Sequence, residues 1–176
     1  MKDPVERRTE ALKTALQMEI DGKEFYQKSG EKSYSPLART LFQHLAEQED
    51  VHYRKVKEIY EAVTRKQGWP EGETVLKQEK SLRNVFREAI EGLGENAKAA
   101  SGELEAIETA MKMEDKSYSF YWSRDKEATS PAEKAFYQAL TAEERIHYLT
   151  LLDSHEYLSD PQGWFTKSEH WGLDGA

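Results

Sequence analysis

Apolar residues recur at helical spacing along four long stretches of this chain, and every stripe is interrupted by charged residues facing the same way. The first stripe begins near Pro4, runs through Leu12, Ala15, Leu16, Glu19, Gly22 and Tyr26, and fades around Gly30. Ser35-Pro36 reads as an N-cap with proline at the first helical position. It opens a second helix whose inner face carries Leu41, Leu45, Glu49, His52, Val56, Ile59 and Val63, stopped by Gly68-Trp69-Pro70. Ser101 is the expected cap of a third long helix, with Leu104, Ile107, Met111, Glu114, Ser117 or Tyr118, and Tyr121 inward. Ser130-Pro131 opens a fourth through Phe136, Leu140, Glu144, His147 and Leu151. Between the second and third lies a crossover with turn residues and a short helix predicted from Ser81 to Leu93, with Gly92 and Gly94 as its stop. The tail after Asp160 holds Trp164, Phe165 and Trp171 and is expected to pack back on the bundle.

These elements predict an all-α four-helix bundle over residues 1–160. Its hairpins span about 4–67 and 101–158, its crossover 68–100 and its tail 161–176. The hairpins are copies of one another. At an offset of 95 residues, Ala15, Met18, Glu19, Phe25 and Tyr26 fall on Ala110, Met113, Glu114, Phe120 and Tyr121 without a gap. Ser35, Pro36, Gln43 and Leu45 meet Ser130, Pro131, Gln138 and Leu140, and Glu49, His52 and Tyr53 meet Glu144, His147 and Tyr148.

The repeat picks out six residues. Glu49 and His52 stand three apart, as do Glu144 and His147, so each pair lies on one side of its helix and both side chains can reach one ion. A single Glu-x-x-His on a helix is usually a solvated pair. Here the motif occurs twice at the shared offset, whereas His44, His155 and His170 have Leu, Leu and Lys three residues before them. Glu19 and Glu114 interrupt apolar stripes, where an unpaired carboxylate costs several kcal/mol or takes up a proton. One Glu from each of two helices and a Glu-x-x-His from each of the other two is the ligand set of carboxylate-bridged di-iron or di-manganese bundles. In such a site Glu49 and Glu144 bridge, Glu19 and Glu114 bind terminally, and each histidine holds one ion. Tyr26 and Tyr121 lie two turns beyond Glu19 and Glu114 on the same face. Core packing is their default reading, with hydrogen bonding to the carboxylates or storage of an oxidising equivalent as the functional one. Met18 and Met113 read as core.

Composition narrows the alternatives. With 176 residues, 38% hydrophobic and 33% charged, the chain suits one helical domain able to bury its own core. A net charge of -8 argues against nucleic acid or an anionic membrane as partner. The absence of cysteine excludes disulfides, zinc ribbons, rubredoxin-type iron and cysteine nucleophiles, leaving carboxylate and imidazole for any metal. No signal-like or membrane-spanning stretch is present, so a cytoplasmic protein is expected.

The segments Ala15 to Glu19, Phe25-Tyr26, Leu45 to Tyr53, their second-half counterparts and the tail Trp164-Phe165 through Leu173-Asp174-Gly175 together resemble the rubrerythrin-like branch of the ferritin-like superfamily. The resemblance covers most of the chain. It implies a ferritin-like bundle holding two iron ions, with manganese an option at one or both positions. It also implies reduction of peroxide or dioxygen in oxidative-stress defence, and a homodimer. Two departures bear on this. Lacking cysteine, the chain has no rubredoxin module and needs a separate electron-donor protein. The peroxidase-type members' extra glutamate, three residues after the third-helix ligand, is Ser117 here. The rival expectations are a ferroxidase or iron-handling protein, and a non-catalytic helical interaction protein with a vacant site.

Overall fold

The computed structural model describes residues 3–70, 80–94 and 97–173. Six helices and no strands occur among them: α1 (Pro4–Lys32), α2 (Pro36–Thr64), α3 (Leu82–Leu93), α4 (Ser101–Glu127), α5 (Pro131–Ser159) and α6 (Pro161–Leu173). None of the described helices is long and apolar enough to cross a membrane.

Short links fold α1 onto α2 and α4 onto α5 as two antiparallel hairpins, which face each other with α1 against α4 and α2 against α5. The starts of α2 and α5 follow from Ser-Pro: the Ser35 hydroxyl accepts from the Ala38 N–H, the Ser130 hydroxyl from the Glu133 N–H, and proline occupies the first turn, where it has no N–H to lose. Ser81 caps α3 in the same way, and Gly94 ends it at φ 59°, a left-handed conformation that suits glycine. Gly92, expected as part of that stop, lies inside the helix.

The start of α4 differs from expectation. Ala100, not Ser101, is the N-cap. The buried Glu103 carboxylate does the capping from the first turn, accepting the Ala100 N–H at 2.8 Å and, across the bundle, the Ser35 N–H at 2.6 Å. One side chain thus closes α4 and joins it to the start of α2. At the other end, Arg8 of α1 pairs with Glu133 of α5 at 3.0 Å.

The tail is also more regular than its aromatics suggested. Asp160 accepts from the Gly163 N–H at 3.0 Å and Pro161 follows, so α6 begins by the same device as α2 and α5. Its Trp164 packs edge-on against Phe86 of α3 and Tyr157 of α5, with ring centroids 5.8 and 5.7 Å apart. The Trp171 side chain and residues 174–175 lie outside the described residues.

The core is in two pieces. One cluster is built around Tyr26, Leu41, Phe42, Leu45, Ile107 and Leu151, with Leu82, Phe86 and Ile90 of α3 closing its end. The other is built around Leu12, Ala15, Val56, Ile59, Tyr121, Phe136 and Leu140. Each draws on all four long helices, and each fully buried Leu, Ile or Phe contributes about 1.5–3 kcal/mol of burial free energy. Between the clusters every helix turns a polar residue inward.

Candidate metal centre

Because the helices of each hairpin run antiparallel, Glu19 on α1 lies level with Glu49 and His52 on α2, and Glu114 on α4 level with Glu144 and His147 on α5. The six side chains meet in the polar layer, each no more than 5% exposed. His52 Nδ1 lies 3.4 Å from Glu19 Oε2 and 3.6 Å from Glu144 Oε1. His147 Nδ1 lies 3.6 Å from Glu114 Oε2 and 3.4 Å from Glu144 Oε2. Glu144 therefore divides its two oxygens between the two histidines, whose rings are 5.8 Å apart and 20° from parallel. Donor atoms of Glu49, Glu114, Glu144 and His147 lie within 4.8 Å of one another, as do those of Glu19, Glu49 and His52, so Glu49 is common to both groups. Every residue of the expected six is brought to one place.

These atoms do not satisfy one another. Among the described residues nine buried side-chain atoms lack a hydrogen-bond partner, and eight belong to Glu19, Glu49, His52, Glu144 and His147. Buried polar atoms are almost always paired, and leaving one unpaired costs about 1–3 kcal/mol. One donor atom from each of the six residues, grouped within 4.8 Å in two sets that share Glu49, fits bound cations, which would take those lone pairs and balance the carboxylates.

Electrostatics carry the same signature. Burial pushes the Glu49 carboxyl well above the usual range and the other three glutamates push it further; Glu144 is raised by burial and then by Glu114. Burial opposes the ionised form of Glu114 too, but the His147 imidazole and the Tyr26 hydroxyl beside it outweigh that and hold its pKa below the ordinary value. His147 is the converse: burial disfavours its charge, yet Glu114 raises it.

Tyr26 and Tyr121 both pack in the core and hold ligand-position carboxylates. Tyr26 on α1 donates its hydroxyl to Glu114 Oε1 on α4, and Tyr121 on α4 donates to Glu19 Oε1 on α1. The two bonds exchange under the 95-residue repeat, as an approximate two-fold axis through the centre requires. Burial, followed by the neighbouring carboxylates, raises both phenols well above their usual value, so each remains a donor. Removing one hydroxyl by Tyr26→Phe or Tyr121→Phe keeps the ring that packs but frees the carboxylate. Metal affinity is expected to fall about 10–100-fold in either variant, and the metal-free protein to lose about 1–3 kcal/mol because a buried carboxylate oxygen is left unpaired, as a chelator-competition titration and a denaturant melt would measure.

One contributor was not apparent from the pattern. A Cβ built on Gly22 would lie 2.7 Å from Glu49 Oε2, so the Glu49 carboxylate occupies space that any side chain at position 22 would claim. The only available signal was a glycine on the inward stripe one turn after Glu19. Its counterpart in the repeat is Ser117.

Comparison with known proteins is consistent with this architecture. The family model described as rubrerythrin matches residues 10–154, a span that includes all six converging residues and both tyrosines. No curated protein and no solved structure gave a match.

Proposed function

The chain belongs to the rubrerythrin family, and from that premise we propose that it is a di-iron carboxylate oxidoreductase that reduces peroxide or dioxygen in oxidative-stress defence. In this reading Glu19, Glu49, His52, Glu114, Glu144 and His147 are the metal ligands, and manganese can replace iron at one or both positions. A separate protein donates the electrons, and the working form is a cytoplasmic homodimer. The observation that carries the reading is the convergence of one donor atom from each of six buried residues between two apolar clusters.

When bound, the ions supply the electrons and the Lewis acidity that the side chains lack. The rest is the work of the chain. Glu144, with one oxygen toward each histidine, and Glu49, common to both donor groups, would help to hold both ions. Tyr26 and Tyr121 fix the terminal carboxylates of Glu114 and Glu19 by holding one oxygen of each, leaving the other free to bind. The apolar clusters exclude bulk water along the bundle axis, which protects a reactive centre from side reactions. Glu49 and Glu144, whose carboxyls burial pushes toward the protonated form, would have to give up those protons to hold ions.

Anaerobic reconstitution with Fe(II), followed by stopped-flow mixing with hydrogen peroxide, tests the activity. The expected result is an iron-dependent absorbance change, with repeated turnover when a reductant is supplied. No absorbance change and no turnover with any reductant would sink the redox reading. Oxidation after which the iron leaves the protein would make Fe(II) the substrate and the protein a ferroxidase.

A further inference from the structure

The two-fold arrangement of the six ligand-position residues is not matched by a two-fold arrangement of the surface above them. With apolar clusters at both ends of the polar layer, the short way in is from the side, between the helices of a hairpin. On the α1/α2 side a cavity of about 280 Å³ is lined by Glu19, Lys23, Glu24, Gln27, Asp50 and Tyr53. Glu19 is only 1% exposed and its Oε2 faces His52 Nδ1 at 3.4 Å, so a residue that lines this cavity also belongs to the centre. Lys23, Gln27 and Asp50 also line a wider outer groove of about 790 Å³, to which Glu31 and Glu47 add further negative charge. Between the two stands a half-exposed ion pair, Lys23 Nζ to Asp50 Oδ1 at 2.5 Å, with Arg54 on the other Asp50 oxygen at 2.9 Å.

The internal repeat supplies the control. At the offset of 95, Lys23, Glu24, Gln27 and Asp50 become Tyr118, Ser119, Trp122 and Arg145. The Arg145 guanidinium lies over the Tyr118 and Tyr148 rings, 6.0 and 5.4 Å from their centroids, and Lys126 lies over Trp122 at 5.1 Å. The cavity on that face, about 390 Å³, is lined by Glu108, Met111, Lys112, Asp115 and Tyr148 and by none of the six. Both faces carry carboxylates, but only the first-half cavity is lined by one of the six, and where Glu24 and Asp50 stand beside it the second half has Ser119 and an arginine covering aromatic rings.

We propose that divalent metal ions enter and leave the centre on the α1/α2 side only, passing Glu24 and Asp50 to reach Glu19, with the Lys23–Asp50 pair as the part that must part. The inference rests on the metal-binding reading above. Carboxylates concentrate a cation at the mouth and speed its arrival, an effect that salt screens. A neutral oxidant gains nothing from them. Lys23 acts against the cation and ties down Asp50, so it restrains the flow.

Co(II) serves as the probe, because its ligand-field absorption reports binding without redox chemistry. Metal-free protein is mixed with Co(II) in a stopped-flow instrument, and metal per chain is measured after the reaction is complete. Glu24→Gln combined with Asp50→Asn is expected to slow loading about 3–10-fold and to flatten its salt dependence, with two ions per chain still bound at the end. Lys23→Ala is expected to accelerate loading, and Arg145→Gln to leave it unchanged. Wild-type rates in the double variant with normal stoichiometry, or an equal effect of Arg145→Gln, would overturn the route while leaving the centre intact. A wild-type protein that binds no Co(II), Mn(II) or Fe(II) would remove the centre and the route together. Slower reaction of the fully loaded double variant with peroxide, at an unchanged loading rate, would assign the passage to the oxidant and overturn the proposal.

Discussion

Between about pH 5 and pH 8 the metal-free protein is expected to lose stability as pH rises, and the metal-loaded protein to gain it. In the unfolded chain Glu49 and Glu144 ionise near their ordinary value of about 4.3. In the native metal-free bundle burial and the neighbouring carboxylates hold both well above it, so the native state keeps protons that the unfolded state has released. Stability therefore falls as pH rises above the unfolded value, and goes on falling until the native groups ionise. His147 works in the same direction, because its raised pKa contributes stability below the ordinary imidazole value that is lost as pH rises through the native one. Glu114 has the opposite sign, but its lowered pKa acts only below about pH 4.5, outside this window. Each group can contribute a slope of up to ~1.4 kcal/mol per pH unit. Metal binding needs the same carboxylates ionised, so affinity and the stabilisation it brings climb over that range. Urea melts at several pH values, with chelator or with excess Mn(II), would reveal the crossing; parallel curves would mean that the six residues do not bind metal together.

Glu144→Gln is the single substitution expected to separate stability from metal binding most sharply. At pH 7 the metal-free variant should be about 1–3 kcal/mol more stable than wild type, because a buried carboxyl that resists ionisation is replaced by a neutral group of the same shape. The gain should shrink as pH falls and vanish below about pH 3.5, where Glu144 is protonated in both states. Metal affinity should fall at least about 10²-fold, since the residue with one oxygen toward each histidine has lost its charge. Denaturant melts and metal titration of the same preparation measure both effects. A variant destabilised without metal would contradict the account of the buried charge.

Fold and centre were legible for different reasons. Ser35-Pro36 and Ser130-Pro131 mark where α2 and α5 begin, because a hydroxyl followed by a proline just before a helical apolar stripe suits the first turn of a helix. The six converging residues were legible because duplication repeats a motif that chance does not, and because a Glu on an apolar stripe needs a partner. What escaped depended on contacts between distant parts of the chain. Glu103 caps α4 in place of Ser101 because the same carboxylate also reaches the Ser35 N–H, 68 residues away in the chain, and no local pattern announces that. The crossed Tyr26–Glu114 and Tyr121–Glu19 bonds likewise need both hairpins in place before either partner is identifiable. Gly22 looked like a member of an apolar stripe, and only the position of Glu49 gives its missing side chain a purpose. In α6 the aromatics drew attention from Asp160-Pro161, the helix start that the earlier Ser-Pro pairs had already illustrated.

The division of the core into two apolar clusters has a consequence for how the protein would handle the metal proposed for it. Where ions are themselves the nucleus of a small domain, removing them unfolds it. Here each end of the bundle draws on all four long helices, so the ends hold the helices in register whether or not the middle is filled. The centre is a polar layer set between two parts of the core that do not depend on it for their apolar contacts. On the proposed metal-binding reading, such a protein would fold before metal is available, then fill, empty and fill again, with its occupancy following the supply of metal and not its folding history.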